Sequence, residues 1–129
     1  MFRNVRFYRF SGQWPDDEAA VSAALAQVTF QPCGPLTPRS SGWVPVAPNS
    51  GDSLARRVNG ADLIRLRSQS RVLPAAVINE ALEERIEEFR IRMGEDPTPR
   101  EKRRLKAETR DDLLTKALLK SDRTWGYID

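Results

Sequence analysis

Hydrophobic residues recur along this chain with two different periods, and the change of period marks out its elements. Between Pro74 and Met93, Ile78, Leu82, Ile86, Phe89 and Met93 fall on one side of a helix at ~100° per residue. Pro74 suits the first turn and Gly94 supplies the stop, so the helix has marked ends. Glu80, Glu83 and Glu84 lie early and Arg90 and Arg92 late, the order that the helix dipole favours. From Asp62 to Leu73 the period shortens to two. Leu63, Arg65, Arg67 and Gln69 share one side and Ile64, Leu66 and Ser68 the other, which predicts a strand or hairpin that turns one side to the core and presents Arg65 and Arg67 on the other.

The remaining segments follow by the same logic. Phe2 to Phe10 is rich in aromatic and branched residues and too short for a stable helix, so it predicts a strand whose arginines either snorkel over a sheet edge or face an anion. Asp16 or Asp17 can cap a helix through about Val28, with Ala20, Val21, Ala24, Leu25 and Val28 as a narrow inner stripe. Thr29 to Ser53 is dominated by turn formers and predicts an ordered but irregular loop region. Within it Cys33 is read as a small buried hydrophobe in preference to a reactive thiol. Thr98-Pro99-Arg100-Glu101 is a capping box with proline at the first helical position, and it opens a helix expected to reach about Leu119. Leu113, Leu114, Ala117 and Leu118 form a stripe at its base. Thr124 to Asp129 predicts a strand that either closes the sheet or belongs to something longer.

Together these elements predict an α+β fold. A small, mostly antiparallel sheet carries one packed helix, and a two-helix hairpin projects from it. The body comprises residues 1–73 with 120–129, and the hairpin residues 74–119.

Charge changes this picture at one place. Over the first turns of the last helix Arg100, Lys102, Arg103, Arg104, Lys106 and Arg110 meet only Glu101 and Glu108. A helix so polar on all sides projects, bridges or binds something anionic. The chain of 129 residues is otherwise ordinary for one soluble domain, with 40% hydrophobic and 30% charged residues and a formal charge of +3. With no histidine and one cysteine there is no Ser-His-Asp triad, no Cys-His pair and no zinc set. The scattered glycines form no phosphate loop. Carboxylate or lysine chemistry stays open on this census, but no spacing promotes it, so the chain is read as a non-enzyme without cofactor. No window approaches the ~20 apolar residues of a membrane span, and the expected location is cytoplasmic.

Several landmarks, in order, resemble the N-terminal part of the bacterial recombination-associated protein RdgC family. They are Phe2-Arg3-Asn4 with Tyr8-Arg9, Phe30-Gln31-Pro32-Cys33-Gly34, Gly42-Trp43-Val44-Pro45, Asn59-Gly60, Val72-Leu73-Pro74, Leu105-Lys106, Leu113-Leu114, Ala117 and Trp125 with Ile128-Asp129. The chain departs from the family pattern at Gly94-Glu95-Asp96, where the family has a basic residue after the glycine and this chain has acids, and at Thr115, Leu118 and Val46. The resemblance implies sequence-nonspecific DNA binding by a ring-shaped homodimer, association with the nucleoid, and restraint of the recombinase RecA by competition for DNA. It further implies that the helical pair is a tip through which two subunits meet and that the sheet belongs to the body of the ring.

Two functional readings follow. In the first, Arg100, Lys102, Arg103, Lys106 and Arg110 contact DNA phosphates, with Arg65 and Arg67 as a second set. In the second, the hairpin is a dimerisation or docking module, or the chain a truncated remnant, and Ile86, Phe89, Met93 and Leu118 form the contact surface. A bland alternative sets the basic helix in water, its charge offset by Glu83, Glu84 and Glu88 of the neighbouring helix.

Overall fold

The structure, a computed structural model, describes residues 4–47, 49 and 51–129. Asp17 accepts a hydrogen bond from the Ala20 amide at 2.7 Å and so caps α1, Glu18–Leu25, which runs into a short 3-10 turn at Ala26–Val28. Strands β1 (Arg39–Val44), β2 (Ala55–Val58) and β3 (Ala61–Val72) follow. Helices α2 (Ala75–Met93) and α3 (Pro99–Leu114) come next, and β4 (Leu118–Ile128) ends the order. The α+β expectation holds: every ladder is antiparallel, with a parallel bridge only between Thr29 and Trp43 among the described residues.

The long strand β3 organises the sheet. Its C-terminal half pairs with β1 and its N-terminal end with β2, both on one edge, while β4 covers the whole of the other edge from Val72↔Leu118 to Asp62↔Ile128. Asn59 and Gly60, at φ 53° and 82°, turn β2 directly into β3. Both are left-handed, as a two-residue hairpin matching strand twist requires.

Side chains alternate across this register, so the sheet has two distinct faces. One face carries α1, which packs over β2 and Ile64 of β3: Val21, Ala55 and Ile64 form the buried centre, with Trp14, Leu25, Trp43 and Ile128 packed around it. Asp62 is buried at the end of this core. Arg57 grips it with two hydrogen bonds, at 2.8 and 2.9 Å, and the Trp14 indole donates a third at 2.7 Å. The Arg57 hydrogen bond, aided by that of Trp14, holds the Asp62 carboxyl below the usual carboxylate range against the opposing effect of burial. Arg57 also donates from its amide to Glu18 at 2.8 Å and from its guanidinium to the Asp16 carbonyl, so one arginine ties the start of α1 to the sheet.

Three local expectations need correction. The predicted strand Phe2 to Phe10 is absent across residues 4–10, and Phe2 and Arg3 lie outside the described residues. Strand propensity makes no ladder without a partner edge, and Phe7 is 92% exposed here. The loop expected over Thr29 to Ser53 contains strand β1, because Trp43 packs into the core and pulls Arg39–Val44 onto β3. The last helix stops at Leu114, not Leu119, and β4 begins at Leu118, six residues before the expected Thr124. Thr115 to Ala117 make the turn, with Lys116 and Ala117 amides donating to the Leu113 and Leu114 carbonyls at 3.1 and 3.2 Å.

The predicted hairpin is present, and its helices make their main contacts with each other. Gly94 caps α2 at φ 74°, and the capping box closes reciprocally, Glu101 N–H to Thr98 Oγ1 at 3.2 Å and Thr98 N–H to Glu101 at 3.0 Å. Phe89 and Thr109 are buried, and Arg85 reaches across to Asp112 at 2.6 Å. Thr109 is a polar residue at a closed position, and its hydroxyl donates to the Leu105 carbonyl at 2.6 Å, which satisfies it.

Candidate nucleic-acid interface

The capping box starts α3 at Pro99 and sets the phase of all that follows. Glu101, Leu105, Thr109 and Leu113, spaced by four, together with Leu114, are its partly or fully buried positions. Arg100, Lys102, Arg103, Lys106 and Arg110 occupy other parts of the circumference, and all five are exposed. Spacings of three and four join them into one stripe that runs about 15 Å along the helix. None of the five has an ion-pair partner among the described residues; within this stretch only Arg104 does, with Glu108 at 3.7 Å. Glu83, Glu84 and Glu88 of α2 pair with none of them, so the neighbouring helix offers no direct neutralisation. The cross-helix pair has the opposite sense, a cation on α2 and an acid on α3.

Arg65 and Arg67 lie on the odd-numbered side of β3, away from α1. Register places Arg56, Leu63 and Tyr127 in one row, Val44, Arg65 and Trp125 in the next, and Gly42, Arg67 and Arg123 in a third. No carboxylate stands in register on this side. The Arg65 guanidinium lies 4.7 Å from the Trp125 ring centroid, and that of Arg67 4.6 Å from Phe30. The Nε of each is buried without a hydrogen-bond partner among the described residues. Trp125 is 39% and Tyr127 61% exposed beside them.

A strap from Phe30 to Thr37 borders this side. Phe30 donates to the Trp43 carbonyl at 3.0 Å, the Cys33 amide to Gln69 at 2.9 Å, and the Arg71 guanidinium to the Gly34 and Ala117 carbonyls at 2.8 and 3.3 Å. Arg71 is therefore committed to the fold. Cys33 is half-buried, not sealed in the core, and its Sγ approaches the Gln69 carbonyl at 3.5 Å.

The four residues expected to form a contact surface do not converge. Phe89 is only 6% exposed and serves the hairpin's own interior, and Ile86 is half-buried. Met93 is exposed where α2 ends, and Ile91, two residues earlier on another side of the helix, is also exposed. Leu118 is 79% exposed but opens β4, at the opposite end of the hairpin. The five cations of α3 are exposed, whereas Arg65 and Arg67, on one side of β3, are half-buried. The register brings Arg56, Arg123, Trp125 and Tyr127, none of them a candidate from the sequence, to the same side as Arg65 and Arg67. The alternation Arg123, Trp125, Tyr127 was visible, but the pairing that sets it beside Arg65 and Arg67 is not a local property.

A family model described as "Putative exonuclease, RdgC" matches residues 1–129, the whole chain. The chain belongs to the RdgC family. Relatives named "Recombination-associated protein RdgC" include those of Halorhodospira halophila, 38% identical, and Janthinobacterium sp., 32% identical, each over 128 residues and 99% of this chain. That of Edwardsiella ictaluri is 31% identical over the same span. The chain spans 42% of the length of these RdgC relatives. Among the described residues no group of three or more His, Cys, Asp or Glu could hold a metal ion, and no helix is long and apolar enough to cross a membrane.

Proposed function

We propose that the chain is a sequence-nonspecific DNA-binding module of a nucleoid-associated recombination protein, acting by occupying DNA that RecA would otherwise engage and without an enzymatic step of its own. One observation carries this reading: the stripe of Arg100, Lys102, Arg103, Lys106 and Arg110 on α3 is exposed and has no carboxylate partner among the described residues. Phosphate neutralisation needs Lys and Arg, not base-edge geometry, and each contact releases condensed counterions. The relatives are named for recombination, which supports the DNA-binding part of this reading, while the family description, "Putative exonuclease, RdgC", names an enzyme.

A duplex-DNA titration at two salt concentrations tests it. Four to six contacts predict that affinity falls by about two to three decades between roughly 50 and 200 mM salt. Replacement of Lys102, Arg103 and Lys106 together by glutamate abolishes most of that binding. A flat salt response, or a triple variant that binds as well as the parent, overturns the assignment.

A second reading, homodimerisation through the hairpin, rests on the exposed Ile91 and Met93 beside the end of α2. Sedimentation of Met93→Asp beside the parent tests it, and an unchanged monomer in both counts against it.

A further inference from the structure

The odd-numbered side of the sheet combines two properties that a solvated surface has no reason to join. Arg56, Arg65, Arg67 and Arg123 stand there with no carboxylate in register, although acids are abundant elsewhere in the chain. Arg67 and Arg123 are directly opposite each other across the β3–β4 ladder, an arrangement that costs stability unless something anionic lies over it. Trp125 and Tyr127 then follow Arg123 at alternate positions on that same side, Tyr127 61% exposed and Trp125 39%, with the Arg65 guanidinium over the Trp125 ring.

Rings two residues apart on an antiparallel strand are separated by ~6.8 Å, about twice the ~3.4 Å between stacked bases of one duplex strand. Successive bases can reach both rings only when the strand is unstacked and extended. Arg65 lies directly across from Trp125 at the spacing of neighbouring strands, ~4.8 Å, Arg123 precedes Trp125 on the same side of β4 with Arg67 opposite it, and Arg56 stands one strand beyond Leu63, the partner of Tyr127, so the cations surround the rings within reach of the backbone that joins those bases.

We propose that this side of the sheet is a binding site for single-stranded DNA, with Trp125 and Tyr127 as stacking platforms for unpaired bases and Arg56, Arg65, Arg67 and Arg123 holding the phosphates. Aromatic platforms beside a basic track bind single strands with little sequence preference, because every base has a π face. The site rests on the DNA-binding reading above but uses different residues from the α3 stripe. It gives the chain two surfaces with different preferences, the helix for duplex phosphates and the sheet for exposed bases.

The test compares a labelled oligothymidylate with a duplex of equal length, by fluorescence anisotropy, on the full chain. Trp125→Ala weakens oligothymidylate binding by about 5- to 150-fold, the range that loss of one stacked base gives, and changes duplex binding less than twofold. Trp125→Phe retains a ring and restores most of the affinity, which separates stacking from misfolding. The Lys102, Arg103 and Lys106 triple glutamate variant shows the reverse pattern, losing duplex and keeping oligothymidylate. If Trp125→Ala leaves oligothymidylate binding intact, or lowers both ligands equally while Trp125→Phe does the same, the sheet site is wrong even where the α3 assignment survives. If the parent chain binds neither ligand, both readings fall.

Discussion

Arg67 and Arg123 face each other directly in the β3–β4 ladder, two like charges at a position where an opposite pair would have strengthened the sheet. Arg67 is drawn toward Phe30 on its other side, and its Nη2 donates to Ser121 at 3.3 Å, but no carboxylate relieves the pair. Arg123→Glu is therefore expected to raise the melting temperature, by an amount corresponding to about 0.2–1 kcal/mol. The same variant loses affinity for oligothymidylate. Calorimetry and anisotropy on one preparation check the two opposite outcomes, and a drop in both quantities would contradict this account.

Gly42 is required by the strap and not by its backbone angles. A Cβ there would overlap the backbone N and Cα of Phe30, which crosses the strand at that point and cannot retreat without breaking its hydrogen bond to Trp43. Gly42→Ala is expected to cost about 1–3 kcal/mol, the range for forced overpacking. Urea denaturation reads it, with a lower midpoint at unchanged slope.

Asp62 makes stability depend on pH in a defined direction. Its folded carboxyl lies below the ordinary value because Arg57, and then Trp14, hydrogen-bond the charged form. Its contribution is thus complete above the unfolded value, about 3.9, and is lost as pH falls through the lower folded value. Asp62→Asn should melt earlier than the parent at pH 7. Below about pH 4 the gap between the two should narrow, because the parent loses what the variant never had. A gap that widens on acidification would show that the carboxylate is not the source.

The hairpin's ends and its interior are separable by mutation. Thr98→Ala removes the cap and should cost about 1 kcal/mol, seen as faster amide exchange in the first turn of α3. Phe89→Ala removes an interior side chain and should cost about 3–5 kcal/mol in the unfolding of the hairpin. Because Phe89 is buried, a charge there would unfold the hairpin before it tested any partner; Met93 is the cleaner probe of association.

Much of the helical architecture was legible. The stripe from Ile78 to Met93, the stop at Gly94 and the capping box at Thr98 are local signals, and a helix closes its hydrogen bonds locally. The other end of α3 was misjudged because Leu113, Leu114, Ala117 and Leu118 fit a helical stripe, while Leu118 is taken by the β4 ladder opposite Val72. Asn59-Gly60 is a local hairpin signal, and it joins β2 to β3. Phe2 to Phe10 shows the converse case, a segment with strand composition that forms no strand over residues 4–10.

The same division runs through the candidate sites. The α3 stripe is a property of one helix, so the order of residues from Arg100 to Arg110 by itself determined that a band of cations lies along it. What only tertiary structure decided is that Glu83, Glu84 and Glu88 leave those cations unpaired, and that Arg56, Arg65, Arg67, Arg123, Trp125 and Tyr127 share one side of a sheet. The physical reason is that strand hydrogen bonds join residues far apart in the chain. Alternation within Ala61–Val72 or Leu118–Ile128 says which residues share a side of each strand. Only the register between them says which arginine meets which ring.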